Sequence, residues 1–313
     1  LSDHNIGIGR EVFSSASNNS SFGNIALGGF TLQDIEGGDY NIGFGYGVLT
    51  NVTSATGNVA TGAFSMGAQT TGNYNTAYGY DTLRTTTERA GNVALGAFAL
   101  RDAFNADYSV AIGYNAGRDS ETDNTVLIGQ DAGYSASGYG GIAIGYRAGY
   151  DLEGQYNVML GSYTGYNLNN GGGYNVGMGY AALYQDAGAR EFNIALGYYA
   201  LLGNAGTSTG DYNIAIGREA GEQLGSGGGN VFIGNYAGED VTTGSNNVIL
   251  KATSTNYADI DTTVSNQLWI GYNDKPWIRA VGAAVTVTYD GAAKLTTTEK
   301  GIDVTGHSEL DDV

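Results

Sequence analysis

The sequence predicts an all-β protein, a parallel β-roll or solenoid of about sixteen short coils. Three observations lead there. A five-residue motif recurs through most of the chain, apolar residues alternate within it, and a glycine closes nearly every copy.

The motif stands as Asn-Ile-Ala-Ile-Gly at 213–217, and fifteen further copies begin at 5, 24, 41, 58, 75, 92, 109, 125, 141, 157, 175, 193, 230, 247 and 267. Successive copies are most often seventeen positions apart, never fewer than sixteen or more than twenty. They tile the chain from Asn5 to Gly271 and leave no room for an inserted domain. The second and fourth positions are mostly apolar, as in Ile25 and Leu27, Val93 and Leu95, Ile142 and Ile144, or Ile214 and Ile216. Period-two alternation marks a strand with one buried face, and the branched aliphatics are expected to be that face. The third position is usually Ala or Gly (Ala26, Gly43, Ala60, Ala94, Ala111, Ala143, Gly177, Ala195, Ala215) and is expected to point outward, where something approaches closely.

Glycine closes fifteen of the sixteen copies, at a bend that would use positive φ. Three residues later a small residue recurs at Ala99, Ala116, Ala132, Ala148, Ala182, Ala220 and Ala237, which predicts a second short strand with that side chain inward. Turns rich in Gly, Asn, Asp, Ser and Thr complete the circuit. So short a coil holds two short strands and two turns, not a helix and its crossover. Stacked at roughly 4.8 Å, sixteen such coils would extend on the order of 75 Å. Each coil offers only about three apolar residues to its interior, so the array needs cover. The small residues on the supposed outer face assign that cover to other copies of the chain, and a homotrimer is predicted.

Composition narrows the alternatives. Glycine supplies 53 of 313 residues, with one proline and no cysteine. Collagen is excluded for want of proline and a three-residue period; disulfide scaffolds and thiolate metal sites are excluded with cysteine. A 42% hydrophobic fraction with 24 tyrosines is the composition of a chain that folds. Lys+Arg number 13 against 31 Asp+Glu, and the resulting −18 opposes phosphate backbones and anionic lipid, so no nucleic acid is expected as a partner. No run of eighteen apolar residues predicts membrane insertion. Leu1-Ser2-Asp3-His4 has neither a signal-peptide pattern nor an initiator methionine, and the chain reads as a segment of a longer protein.

Ser109-Val-Ala-Ile-Gly113, followed by Tyr114-Asn115-Ala116, resembles the head-domain repeat of trimeric autotransporter adhesins. The array is also similar to the Asn-Val/Ile-Ala-Ile-Gly repeats of bacteriophage tail fibres. The likeness covers Asn5 to Gly271, the greater part of the chain. It implies a left-handed parallel β-roll with two strands per coil, assembled as a trimer.

The end of the chain separates the two branches. Lys251 replaces the closing glycine, a longer segment follows from Ala252 to Asn266, and Gln267-Leu-Trp-Ile-Gly271 forms an atypical last coil, as a capping repeat does. The predicted division is a β-roll at 1–271 and a β-rich connector at 272–313. Trp277–Val281, Ala284–Gly291 and Lys294–Gly306 read as its strands, and no apolar heptads of a coiled-coil stalk appear. This connector resembles those of phage fibre proteins, whereas only Asn266-Gln267-Leu268 matches an adhesin neck.

The residues predict no enzyme and no cofactor. There is no Walker-type loop, His-Glu-x-x-His or Gly-x-Ser-x-Gly. Gly177-Met-Gly179-Tyr-Ala-Ala182 mimics a dinucleotide fingerprint without a following helix. His4 and His307, near opposite ends, read as solvated surface residues. Asp102 with Asp107, Glu153, or Glu239 with Asp240 are the carboxylates available to a glycosidase pair, but acids in turns ordinarily solvate. Acids do not recur in register as a calcium ladder requires, and no metal site is assigned. Thr85, Thr86 and Thr87 do not recur as an ice-binding face would.

Asparagine opens twelve of the sixteen copies, and a ladder of stacked amides satisfying turn backbone is favoured over a recognition stripe. Tyrosine precedes the repeat at Tyr40, Tyr74, Tyr108, Tyr156, Tyr174 and Tyr212, and follows the closing glycine at Tyr46, Tyr80, Tyr114, Tyr146, Tyr180 and Tyr198. Each set is expected to stack into an aromatic column, serving packing first and sugar or receptor contact as the alternative. The function expected is a structural and adhesive segment of a trimeric phage tail fibre or related virion appendage. Its partners would be sister chains, other virion proteins and a host polysaccharide or protein receptor. A bacterial trimeric surface adhesin is the alternative, and a polysaccharide depolymerase the third reading.

Overall fold

The computed structural model describes residues 4–15, 20–85, 87–168, 171–186, 188, 190–203, 210–252, 263–272, 275–281, 284–289, 292–298 and 301–304. His307, Thr86 and the end of the third predicted connector strand, to Gly306, lie outside them. The described residues are all β with no helix. The chain divides into two compact units, Leu1–Tyr166 and Asn167–Val313, each built on a β-solenoid.

In the first unit ten three-residue strands, from Ile6–Ile8 and Ile25–Leu27 to Ile142–Ile144 and Val158–Leu160, form one parallel in-register ladder. Each is a copy of the motif, and equivalent positions stack: Ala26 on Gly43, Gly43 on Ala60, Ala60 on Ala77. The second unit repeats the pattern with Val176–Met178, Ile194–Leu196, Ile214–Ile216, Val231–Ile233, Val248–Ala252 and Gln267–Tyr272. An antiparallel meander then follows through Lys275–Val281, Ala284–Tyr289, Ala292–Thr298 and Gly301–Val304.

The buried face of the strand is opposite to the one expected. The small third residue points inward, and Ala26, Ala60, Ala94, Ala111, Ala143, Ala195 and Ala215 are fully buried. The flanking aliphatics point outward: Ile6 and Ile8 are 54% and 63% exposed, Ile144 37% and Ile216 38%. A coil this short has an interior about one side chain wide. Small residues are needed where the strand meets the opposite wall, formed by Leu32, Leu49, Met66, Leu83 and Leu100.

Three large inward strand residues face a wall glycine: a Cβ at Gly133 would come within 2.6 Å of Leu127, at Gly165 within 2.7 Å of Met159, and at Gly238 within 2.5 Å of Phe232. Such complementarity is what native packing density demands.

The second strand expected in every coil is mostly absent among the described residues; only Glu121–Asp123 with Ser137–Tyr139, and Asn167–Leu168 with Gln185–Asp186, pair as one. After the closing glycine the backbone instead runs through overlapping turns with left-handed residues at alternate positions, such as Phe64 (φ 61°) and Met66 (φ 51°). The N–H groups of Ser65, Gly67 and Gln69 close turns onto Gly62, Phe64 and Met66. Those of Phe64, Met66 and Ala68 reach Tyr46, Thr82 and Arg84 in adjoining coils at 2.9–3.0 Å. Both sets of donors are satisfied, which offsets the left-handed cost of about 1–2 kcal/mol per residue. The small residues Ala99, Ala116, Ala132, Ala148, Ala182, Ala220 and Ala237 do point inward, as expected.

No Val, Ile or Thr occupies a left-handed position among the described residues, because branching at Cβ clashes there. Leu83 (φ 49°, fully buried) therefore tolerates its isomer poorly. Leu83→Ile should cost about 2 kcal/mol or more in urea unfolding, against less than about 1.5 kcal/mol for Ile35→Leu, which lies outside such a position.

Candidate functional site

Asn24, Asn41, Asn58, Asn75 and Asn92 lie buried in one line at the mouth of the strand. The side-chain oxygens of the first four accept the backbone N–H of the next coil's asparagine at 2.8–3.1 Å, and that of Asn92 accepts the Ser109 N–H at 2.9 Å. Side-chain amides donate to carbonyls closing the coil: Asn24 to Gly38, Asn41 to Ala55, Asn58 to Gly72. The same ladder runs through Asn175, Asn193, Asn213, Asn230 and Asn247 to Gln267. Where the copy opens with Ser109 or Thr125, hydroxyls carry it on. The asparagines are thus a structural ladder, not a recognition stripe.

The tyrosines sort differently from the expectation of two tyrosine columns. Tyr46, Tyr80 and Tyr114 do belong to a continuous column, but phenylalanines alternate with them. Phe30, Tyr46, Phe64, Tyr80, Phe98 and Tyr114 have successive centroids 5.3–6.0 Å apart at 71–85°. Edge-to-face packing places each ring's positive rim on its neighbour's π face. Arg10, Arg84, Arg101 and Arg118 lie over the phenylalanines at 5.3–5.8 Å, and Asp81 pairs with Arg84 and Arg101 at 3.1 and 2.6 Å. Further along, Tyr146 packs on Tyr163 at 90°. Tyr180 stacks with Tyr198, and the hydrogen bond between Tyr198 and Tyr199 pushes the Tyr199 phenol up to about 12.

The other set forms no column in the first unit. Tyr40, Tyr74 and Tyr108 are two coils apart, because the coils between and before them carry glycine at that position. A Cβ at Gly23, Gly57 or Gly91 would come within 2.6–2.8 Å of the tyrosine of the following coil. With Tyr212, these three are the most exposed tyrosines of the twelve. Tyr156 packs at 79° on Tyr139. In the second unit Tyr174, Phe192 and Tyr212 do stack face to face, at 4.9 and 5.1 Å. Phe30, Phe64, Phe98 and Phe192 are missed when tyrosine spacing alone is followed; the spacing of all aromatics together would have found them.

The acids named from sequence have structural surroundings. Asp102 lies between Arg101 and Arg118 at 3.7 and 3.8 Å. Asp107 pairs with Arg89 at 3.3 Å and accepts the Ala90 N–H, and Glu153 packs where its charge helps raise Asp151 after burial. His4 packs on Phe22 at 4.9 Å. Gly177-Met-Gly179 is a strand and its closing bend, with no helix after it.

One cluster was not legible. Glu219, Glu222 and Glu239 bring one carboxylate oxygen each to within 4.8 Å of one another. Burial pushes Glu239 up to about 7, helped by Asp240, Glu222 and Glu219 and opposed by Lys251. Burial first, then Glu219 and Asp240, raises Glu222, while Arg218 pairs with Glu219 at 2.8 Å. Three carboxylates so placed share a proton or take a hard divalent cation. Among the described residues no other group of three such ligands converges. A window on one-dimensional spacing misses it, because Glu239 comes from the next coil.

Comparison with known proteins gives no match, whether to a protein-family model, a curated protein or a solved structure. No helix among the described residues is long and apolar enough to cross a membrane.

Two outcomes check these assignments. Asn58→Ala removes an acceptor and a donor in the buried ladder, leaving the Asn75 N–H and Gly72 carbonyl without that partner, and should cost about 2–4 kcal/mol in denaturant unfolding. Glu239 is raised in the folded state, so the unfolded chain ionises first as pH rises. Its contribution is neutral below its ordinary value of 4.5, becomes destabilising above it, and levels off beyond about 7. Melting temperature should fall across that window, and Glu239→Gln should flatten the fall.

Proposed function

We propose that the chain is a structural and adhesive segment of a homotrimeric fibre, a shaft of a bacteriophage tail fibre or related virion appendage used in host attachment. The observation that carries this reading is the outward face of the ladder. In the first unit, eighteen of the twenty residues flanking the buried strand position are apolar, and none is buried. In the second unit all twelve are apolar, from Val176 and Met178 to Leu268 and Ile270, and none is buried. Parallel sheets are stable almost only with both faces covered, and an apolar surface of this continuity marks an association site.

The cover is a sister chain because the face repeats at the coil pitch, and another ladder of the same pitch packs on it without change of register. Closed symmetry then limits the assembly to a few copies. The trimer follows the resemblance to tail-fibre and adhesin repeats. The role assigned to the chain needs no catalytic group: cross-coil hydrogen bonds supply stiffness, sister chains supply burial, and repeated weak contacts add by avidity. The setting proposed is the virion surface.

Native mass measurement tests the assembly. A mass of three chains is expected, and Ile112→Lys with Ile144→Lys, both on the outward face, should shift it toward one chain while circular dichroism keeps its β signature. A wild-type monomer at micromolar concentration overturns the reading.

A further inference from the structure

Three of the four most exposed tyrosines of the first unit form a regular series. Tyr40, Tyr74 and Tyr108 recur at every second coil and are 59%, 70% and 66% exposed. Each rests on a bare glycine of the preceding coil, Gly23, Gly57 or Gly91. The three rings therefore stand about 10 Å apart along the ladder and do not touch one another, although Tyr40 also packs edge-to-face on Phe22 at 5.6 Å. Tyr74 and Tyr108 make no ring contact among the described residues, unlike the rings of the Phe30 to Tyr114 column, whose packing is between coils.

A polar side chain precedes each ring and is locked in place. Asp39 accepts the Phe22 N–H at 2.8 Å, Asn73 the Thr56 N–H at 2.7 Å, and Asp107 the Ala90 N–H at 2.7 Å. One oxygen of each is thereby fixed by backbone. Asp107 also faces Arg89, whereas the second oxygen of Asp39 and the amide nitrogen of Asn73 have no partner among the described residues. Each step thus pairs an exposed π face with a pre-oriented hydrogen-bonding group, the combination that recognises a sugar's C–H face and its hydroxyls. Carboxylates beside the rings and the overall −18 charge disfavour an anionic chain.

We propose that Tyr40, Tyr74 and Tyr108 are a three-step platform for an extended, uncharged 1,4-linked β-glycan, with one ring for every second sugar. Two sugars of such a chain span about the separation of neighbouring rings. This deepens the attachment role proposed above by naming its ligand class, and it rests on that reading for its setting.

Calorimetric titration of the full chain with cello- and chito-oligosaccharides of two, four and six sugars tests it. Affinity in at least one series should rise at each two-sugar step as one, two and three rings are engaged. Tyr74→Ala should weaken the six-sugar ligand by roughly 3- to 10-fold, and Tyr74→Phe should retain most of the affinity. Absence of binding in both series, affinity independent of length, or a Tyr40→Ala/Tyr74→Ala/Tyr108→Ala variant that binds like wild type overturns the platform. The native mass of that triple variant separates the two proposals. A drop to fewer chains assigns the row to a subunit contact and ends the glycan proposal while leaving the shaft intact. Stepwise binding by a wild-type monomer supports the platform and ends the trimer.

Discussion

The interior of a single coil is about one side chain wide, and the rest of the structure depends on that narrowness. Small residues therefore stand inward opposite Leu32, Leu49, Met66, Leu83 and Leu100, and glycine stands on the wall where Leu127, Met159 or Phe232 points inward. The polar groups of so thin a coil cannot be satisfied within it. They are satisfied along the stack, through the ladder strands, the turn N–H groups and the buried asparagines. Closing glycines belong to the same constraint: Gly113 has φ 137°, and a Cβ there would meet the Gly129 carbonyl of the next coil at 2.5 Å. Cohesion therefore runs between coils more than within them, as in repeat proteins generally.

The repeat, its sixteen strands and the asparagine ladder were legible in the amino-acid sequence because all three are properties of period. Facing was not. Alternation shows that Ile214 and Ile216 lie on one side and Ala215 on the other, but it does not say which side is inside. The ordinary rule that larger apolar residues are buried gave the wrong answer, because it presumes a core wide enough to hold them. The second strand failed for a related reason. Ala99 and Leu100 both point inward, which a pleated strand cannot do with consecutive residues but alternating right- and left-handed turns can.

A longer period also lies in the first unit and shows only when glycine and aromatic positions are followed together. Gly23, Gly57 and Gly91 alternate with Tyr40, Tyr74 and Tyr108, and Phe30, Phe64 and Phe98 alternate with Tyr46, Tyr80 and Tyr114. The true unit over this stretch is a pair of coils. Over this stretch Tyr40, Tyr74 and Tyr108 overhang a glycine and the Phe30 to Tyr114 rings interlock near right angles, whereas Tyr134, Tyr150 and Tyr166 stack nearly parallel and follow the single-coil period. The acidic cluster at Glu219, Glu222 and Glu239 breaks both periods, which is why neither period revealed it.

The corrected facing changes what would hold sister chains together in the proposed assembly. With small residues outside, contact between chains would depend on close backbone approach, and any bulky substitution would disrupt it. With Ile, Val and Leu outside, it would depend on burying an apolar sheet face, a force roughly proportional to area and tolerant of exchange among aliphatics of similar volume. Pitch, not the identity of single residues, would then set register between chains. That tolerance is compatible with Phe44, Tyr78 and Met178 standing in outward positions that neighbouring coils fill with Ile or Leu, and it would leave the turn edges free for the recognition role proposed above.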